Sequence, residues 1–94
     1  MGAEKTVHVM VAGRVQGVGY RAWVEREALA LGLSGWVRNR RSGEVEAVFA
    51  GKAGAVDAMV GYCSRGPTAS DVSEVRVLAT GAPVPMGFKI IASE

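Results

Sequence analysis

Residues 34–51, SGWVRNRRSGEVEAVFAG, decide the fold. Two β-rich runs, 34–41 and 44–51, flank Ser42-Gly43, a two-residue hairpin signal. A hairpin makes its strands antiparallel neighbours. That excludes an all-parallel sheet, in which consecutive strands need a crossover of about a dozen or more residues. Upstream, TVHVMVAG (6–13) alternates, with Val7, Val9 and Val11 on one face and His8, Met10 and Ala12 on the other, which predicts a strand. RAWVEREALALG (21–32) then changes period, and Val24, Ala28 and Leu31 fall at helical spacing. Downstream, KAGAVDAMVGYCSR (52–65) sets Val56, Met59, Val60 and Cys63 on one helical face, and RGP (65–67) supplies a stop. DVSEVRVLAT (71–80) reads as a fourth strand and GFKIIAS (87–93), after a GAPVP loop (81–85), as a short fifth.

The order predicts an α+β fold: a ferredoxin-like βαββαβ sandwich with a short fifth terminal strand. Two helices cover one face of a mixed, mainly antiparallel sheet. At 94 residues the chain supports one modest core, so residues 1–94 are read as a single domain. This architecture carries many activities, and function has to be argued from the site.

Composition narrows the classes. With 49% apolar and 21% charged residues the balance is that of a globular chain. No apolar run approaches the roughly 18 residues of a membrane span. The start, MGAEKTVHV, has no apolar h-region, so no signal peptide and no membrane partner are expected. Cys63 and His8 are each alone in the sequence. No internal disulfide or multi-cysteine metal site can form, and a cytoplasmic location is expected. A net charge of +2 is too small for bulk nucleic-acid binding. Residues 14–41, however, hold Arg14, Arg21, Arg26, Arg38, Arg40 and Arg41 against only Glu25 and Glu27, an excess that attracts a small anion.

That excess surrounds GRVQGVGYR (13–21), where the first strand turns into the first helix. A helix start presents free N–H groups, and glycine at 17 and 19 permits positive φ and close approach of a ligand. Successive N–H groups can form a nest for an anion, and Arg21 can add a planar fork for two phosphate oxygens. The same features also fit a tight βα turn with an exposed arginine. GVGYRA (17–22) matches G-x-G-x-x-A, but Arg40 and Arg41 stand where a dinucleotide site needs an acid, and the hairpin breaks the parallel sheet. A Walker A Gly-Lys-Ser/Thr is missing.

GRVQGVGYR followed by GWVRNRRSGEVEA resembles the acylphosphatase signature, G-x-V-Q-G-V-x-[FY]-R, then G-W-V-x-N, a hairpin and V-E. The resemblance continues through GLSGW, RGP and GFKI and spans nearly the whole chain. It implies the ferredoxin-like fold and hydrolysis of the carboxyl–phosphate bond of small acyl phosphates, without metal or other cofactor. By motif, Arg21 matches the family's phosphate-binding arginine and Asn39 its water-orienting asparagine. Backbone N–H groups of Val15, Gln16, Gly17, Val18, Gly19 and Tyr20 match its phosphate cradle. Gly19 falls in a variable slot of the motif, and GPTASD (66–71) lacks a second proline expected in that turn.

The chemistry suits so small a set. The leaving group is a carboxylate, a weak base that needs no general acid, and phosphoryl transfer rests on positioning and on stabilising charge. A carboxylate in place of Asn39 would repel the dianion. Elsewhere, His8 is expected at a surface or sheet edge, Cys63 in the core, Trp36 packed in the sheet and Trp23 on the outer side of its helix. The Gln16 side chain is expected to tie the loop to the core. Arg38, Arg40 and Arg41 are expected to steer the anion without taking part in catalysis. An RNA-binding sheet would need aromatics on its central strands, and TVHVMVAG has none. A second rival is the acylphosphatase-like domain of hydrogenase-maturation carbamoyltransferases. No cysteine-rich segment follows here, so a free-standing enzyme is expected, and the small apolar surface implied by the pattern predicts a monomer.

Overall fold

Alternating valines build the centre of the sheet in a computed structural model that describes residues 4–80 and 84–94. The elements are β1 (Glu4–Arg14), α1 (Tyr20–Ala30), β2 (Ser34–Asn39), β3 (Val45–Lys52), α2 (Ala53–Cys63), β4 (Asp71–Thr80) and β5 (Phe88–Ile90). In β1 the residues Val7, Val9 and Val11 are buried while His8, Met10 and Ala12 point to the other face, as the alternation predicts. In α1 the buried positions are Tyr20, Val24 and Ala28; in α2 they are Val56, Met59 and Cys63. Residues 81–83 of the expected GAPVP loop lie outside the described residues.

The five strands are ordered β4-β1-β3-β2-β5. β1 pairs antiparallel with β3 and β4, β2 pairs antiparallel with β3, and β5 joins the edge parallel to β2. α1 packs on β2 and β5, α2 on β1 and β3, so both helices cover the valine face. This is the ferredoxin-like arrangement. Phe49 and Phe88 stack with ring centroids 5.6 Å apart and bind β5 into the core. Beyond β5 the chain keeps its hold on β2 through Ile91 N–H to the Val37 carbonyl and Glu94 N–H to the Asn39 carbonyl, both 3.0 Å.

The hairpin differs from the two-residue reading. Asn39 lies opposite Val45, Arg40 N–H donates to the Glu44 carbonyl at 2.8 Å, and Gly43 N–H donates to the Arg40 carbonyl at 3.1 Å. The loop is therefore residues 41–43, a turn closed by Gly43 at φ 95°, the three-residue hairpin form.

The sheet's other face carries a charge network. Glu46, only 6% exposed, accepts from Arg38 Nε at 2.8 Å and Arg40 Nη1 at 3.2 Å and pairs with His8 Nε2. Burial alone would raise the Glu46 pKa, but the hydrogen bonds and charges of Arg38 and His8 outweigh it and hold the carboxyl below its ordinary range. Arg38 also lies over the Trp36 ring, 5.0 Å from its centroid. His8 thus lies partly exposed on the open sheet face, engaged with Glu46, in keeping with the surface alternative; it is not at an edge, because β1 lies between β4 and β3. Trp23 is likewise corrected. It packs against the core beside Tyr20, ring centroids 5.5 Å apart, because residues three apart share a helix face.

Candidate active site

The stretch between β1 and α1 is held at both ends by buried side chains. Val15 is 1% exposed, and Tyr20 is buried with its hydroxyl donating to the Cys63 carbonyl at 2.8 Å. Burial also pushes the Tyr20 hydroxyl far above its usual pKa, so it stays a neutral donor. Between these anchors the backbone turns through Gly17 at φ 74° and Gly19 at φ 80°. A Cβ on either would meet nothing within 4 Å, so the glycines are demanded by left-handed backbone and not by crowding.

Gly19 is the N-cap of α1 and supplies no side-chain cap. The first intrahelical bond runs from Trp23 N–H to the Gly19 carbonyl, 3.1 Å. Among the described residues, no backbone N–H from Val15 to Ala22 donates to a protein acceptor. The first turn of α1 holds no acidic residue, so the positive end of the helix dipole is left uncompensated. A row of free N–H groups at a helix start suits an anion with tetrahedral oxygens.

Arg21, the second residue of α1, has no carboxylate partner among the described residues. Asn39 closes β2. The two line one cleft of about 210 Å³ together with Val15, Gly17, Gly19, Tyr20, Ala22 and Ile90. That is below the roughly 300–1,000 Å³ of sites for drug-sized ligands, so the cleft fits a small substrate. Clefts of about 520 and 430 Å³ lie elsewhere, on the Arg40–Glu44 turn and beside Gly32–Ser34, and neither holds any of the free N–H groups. The Asn39 Oδ1 atom is buried without a hydrogen-bond partner. Buried carbonyl oxygens are nearly always paired, so this one is left in want of a donor.

Of the residues expected from sequence, the cleft brings together Val15, Gly17, Gly19, Tyr20, Arg21 and Asn39. Val18 turns its side chain to the core. The Gln16 side chain reaches the hairpin turn, its Nε2 donating to the Arg40 carbonyl at 2.7 Å and the Glu44 carbonyl at 2.9 Å. The expected tie is present, but to the turn rather than to the core. Arg38 and Arg40 pair with Glu46 on the open sheet face, and neither lines this cleft. Sequence reasoning missed the apolar wall, Ala22 and Ile90. Ala22 follows Arg21 in the helix's first turn and was reachable from the helix start; Ile90 arrives through the parallel pairing of Val37 with Ile90, which has no local signal.

A ferredoxin-like fold with an anion-suited βα loop, an arginine and an asparagine in one cleft defines a narrow class. The chain belongs to the acylphosphatase family, whose model matches residues 7–90. An acylphosphatase of Bradyrhizobium diazoefficiens is 58% identical over 76 residues, covering 81% of this chain and 77% of the relative. One of Azorhizobium caulinodans is 49% identical over 89 residues, covering 94% and 96%. The crystal structure of acylphosphatase from Bacillus subtilis superposes with a TM-score of 0.86 at 34% identity, covering 93% of this chain and 98% of that one.

Proposed function

We propose that this protein hydrolyses acyl phosphates to a carboxylate and inorganic phosphate, with water attacking phosphorus in line. The backbone N–H groups of residues 15–20 and the Arg21 fork hold the phosphate and take up charge on its equatorial oxygens. The Asn39 side-chain oxygen accepts from the attacking water and orients it, while the carboxylate departs without protonation. No step needs a metal or another cofactor.

One observation carries the reading: Asn39, whose buried side-chain oxygen has no protein partner, lines the same cleft as Arg21 and loop residues whose backbone N–H groups no protein acceptor takes up. The cleft thus offers a donor-rich half for a dianion and an acceptor for a neutral molecule that carries hydrogen. The reading further takes residues 1–94 as one domain acting as a monomer in a reducing cytoplasm, where the buried Cys63 has no disulfide role.

The test is hydrolysis of benzoyl phosphate in ¹⁸O-labelled water containing EDTA. Attack at phosphorus puts the label in inorganic phosphate and leaves benzoate unlabelled. Label in benzoate, or a folded protein that turns over no acyl phosphate, overturns the reading.

A further inference from the structure

The two halves of the cleft are not joined directly by the sheet. The phosphate-suited loop leaves the end of β1, Asn39 ends β2, and β3 lies between those strands. Some contact must fix how far Asn39 stands from an anion in the loop. Among the described residues, the hydrogen bonds that link residues 15–19 to residues 34–45 come from one atom, Gln16 Nε2.

Its two N–H groups go to the carbonyls of Arg40 and Glu44, at 2.7 and 2.9 Å. These two residues close the hairpin turn through Arg40 N–H to the Glu44 carbonyl, and Arg40 directly follows Asn39. We infer that the Gln16 side-chain amide is a positioning residue that sets the spacing between the loop and Asn39, and hence between the bound phosphate and the water that attacks it. The inference rests on the acyl phosphate reading above.

The chemistry explains why an amide stands here. Two carbonyl acceptors need two hydrogens from one group, which a side-chain NH₂ supplies. A hydroxyl supplies only one, and an ionised carboxylate would face both carbonyl oxygens with none. The side chain touches neither substrate nor water in this scheme. Its effect is on registration, and a misplacement of about 1 Å in a reacting geometry can cost about 100-fold in rate.

The experiment compares wild type with Gln16→Met, which keeps length and volume and removes both donors. The readouts are kcat for benzoyl phosphate and the inhibition constant of inorganic phosphate, at a temperature where both proteins are folded by near-ultraviolet circular dichroism. The expected result is a fall in kcat of about 10- to 100-fold with phosphate inhibition changed by less than about threefold, since the loop and Arg21 are intact. Unchanged kcat in the folded variant overturns the inference. So does a loss of phosphate affinity in step with kcat, which would make Gln16 part of the cradle itself.

If Gln16→Met does not fold, Gln16→Glu carries the same test through pH. Protonated, its carboxyl can donate to one carbonyl, so kcat relative to wild type should rise as pH falls from about 8 to about 5. A flat ratio overturns the inference. Failure of the underlying reading looks different, because then wild type itself turns over no acyl phosphate.

Discussion

Arg21 and the Arg38–Arg40 pair carry the same charge and meet opposite fates. Arg38 and Arg40 converge on Glu46, which is nearly buried and also engages His8. Arg21 stands at an uncapped helix start, without a carboxylate among the described residues and beside N–H groups that no protein acceptor takes up. In the first region both guanidiniums are hydrogen-bonded to a carboxylate within the fold, and the product is strand-to-strand cohesion. In the second the fold leaves positive potential and hydrogen-bond donors unanswered. A ligand site is the place where the protein declines to satisfy itself, and the local excess of arginine alone did not distinguish the two.

Substitutions at each region should separate these roles. Arg21→Ala should lower kcat/KM for an acyl phosphate by at least about 100-fold, close to 3 kcal/mol of transition-state stabilisation, with little change in thermal stability. Steady-state kinetics beside a thermal melt would check it. An active Arg21→Ala would erase the contrast between the regions.

Glu46→Gln should do the reverse. It is expected to cost about 1–2 kcal/mol of stability by weakening the bonds to Arg38, Arg40 and His8, while kcat per folded molecule stays at the wild-type value. Urea unfolding and kinetics at saturating substrate would show it. The pH dependence follows from the carboxyl's lowered pKa. In the acid range the unfolded chain binds the proton more readily than the folded one. The stabilisation is therefore present above the ordinary carboxylate range and is lost as pH falls through it. Wild-type melting temperature should drop more steeply than that of Glu46→Gln between about pH 5 and pH 3.

Two smaller effects sharpen the picture. Gly19→Ala should cost about 1 kcal/mol, because a side chain must be held at φ 80° although nothing crowds it. A similar cost with unchanged activity would show that the loop backbone tolerates the change. Cys63, fully buried and with burial pushing its thiol up to about 12, should not react with a thiol-specific reagent at neutral pH until the protein unfolds. Labelling at the rate of a surface thiol would mean that the α2 packing opens in the native state.

Much of this was legible in the sequence, for identifiable reasons. Val7, Val9 and Val11 alternate and are buried as expected; Val56, Met59 and Cys63 keep a helical period and form one buried face. The loop glycines and the helix start were readable because their meaning is local. What failed was register. A two-residue loop at Ser42-Gly43 would set Arg38 opposite Ala47, whereas the three-residue loop sets it opposite Glu46. One residue of loop length therefore hid Arg38's carboxylate partner. The Ile90 wall was hidden for a second reason: the parallel edge that brings it to the cleft depends on the whole sheet being assembled.

The central claim is a division of labour in one cleft, with the loop and Arg21 holding phosphate and Asn39 holding water. The direct measurement is benzoyl phosphate hydrolysis in EDTA by wild type and Asn39→Ala, with the inhibition constant of inorganic phosphate taken for both. The account predicts rapid turnover by wild type, a loss of about 100-fold or more in kcat for Asn39→Ala, and nearly equal phosphate inhibition. Wild-type kcat in a folded Asn39→Ala protein, or loss of phosphate inhibition together with turnover, would contradict it.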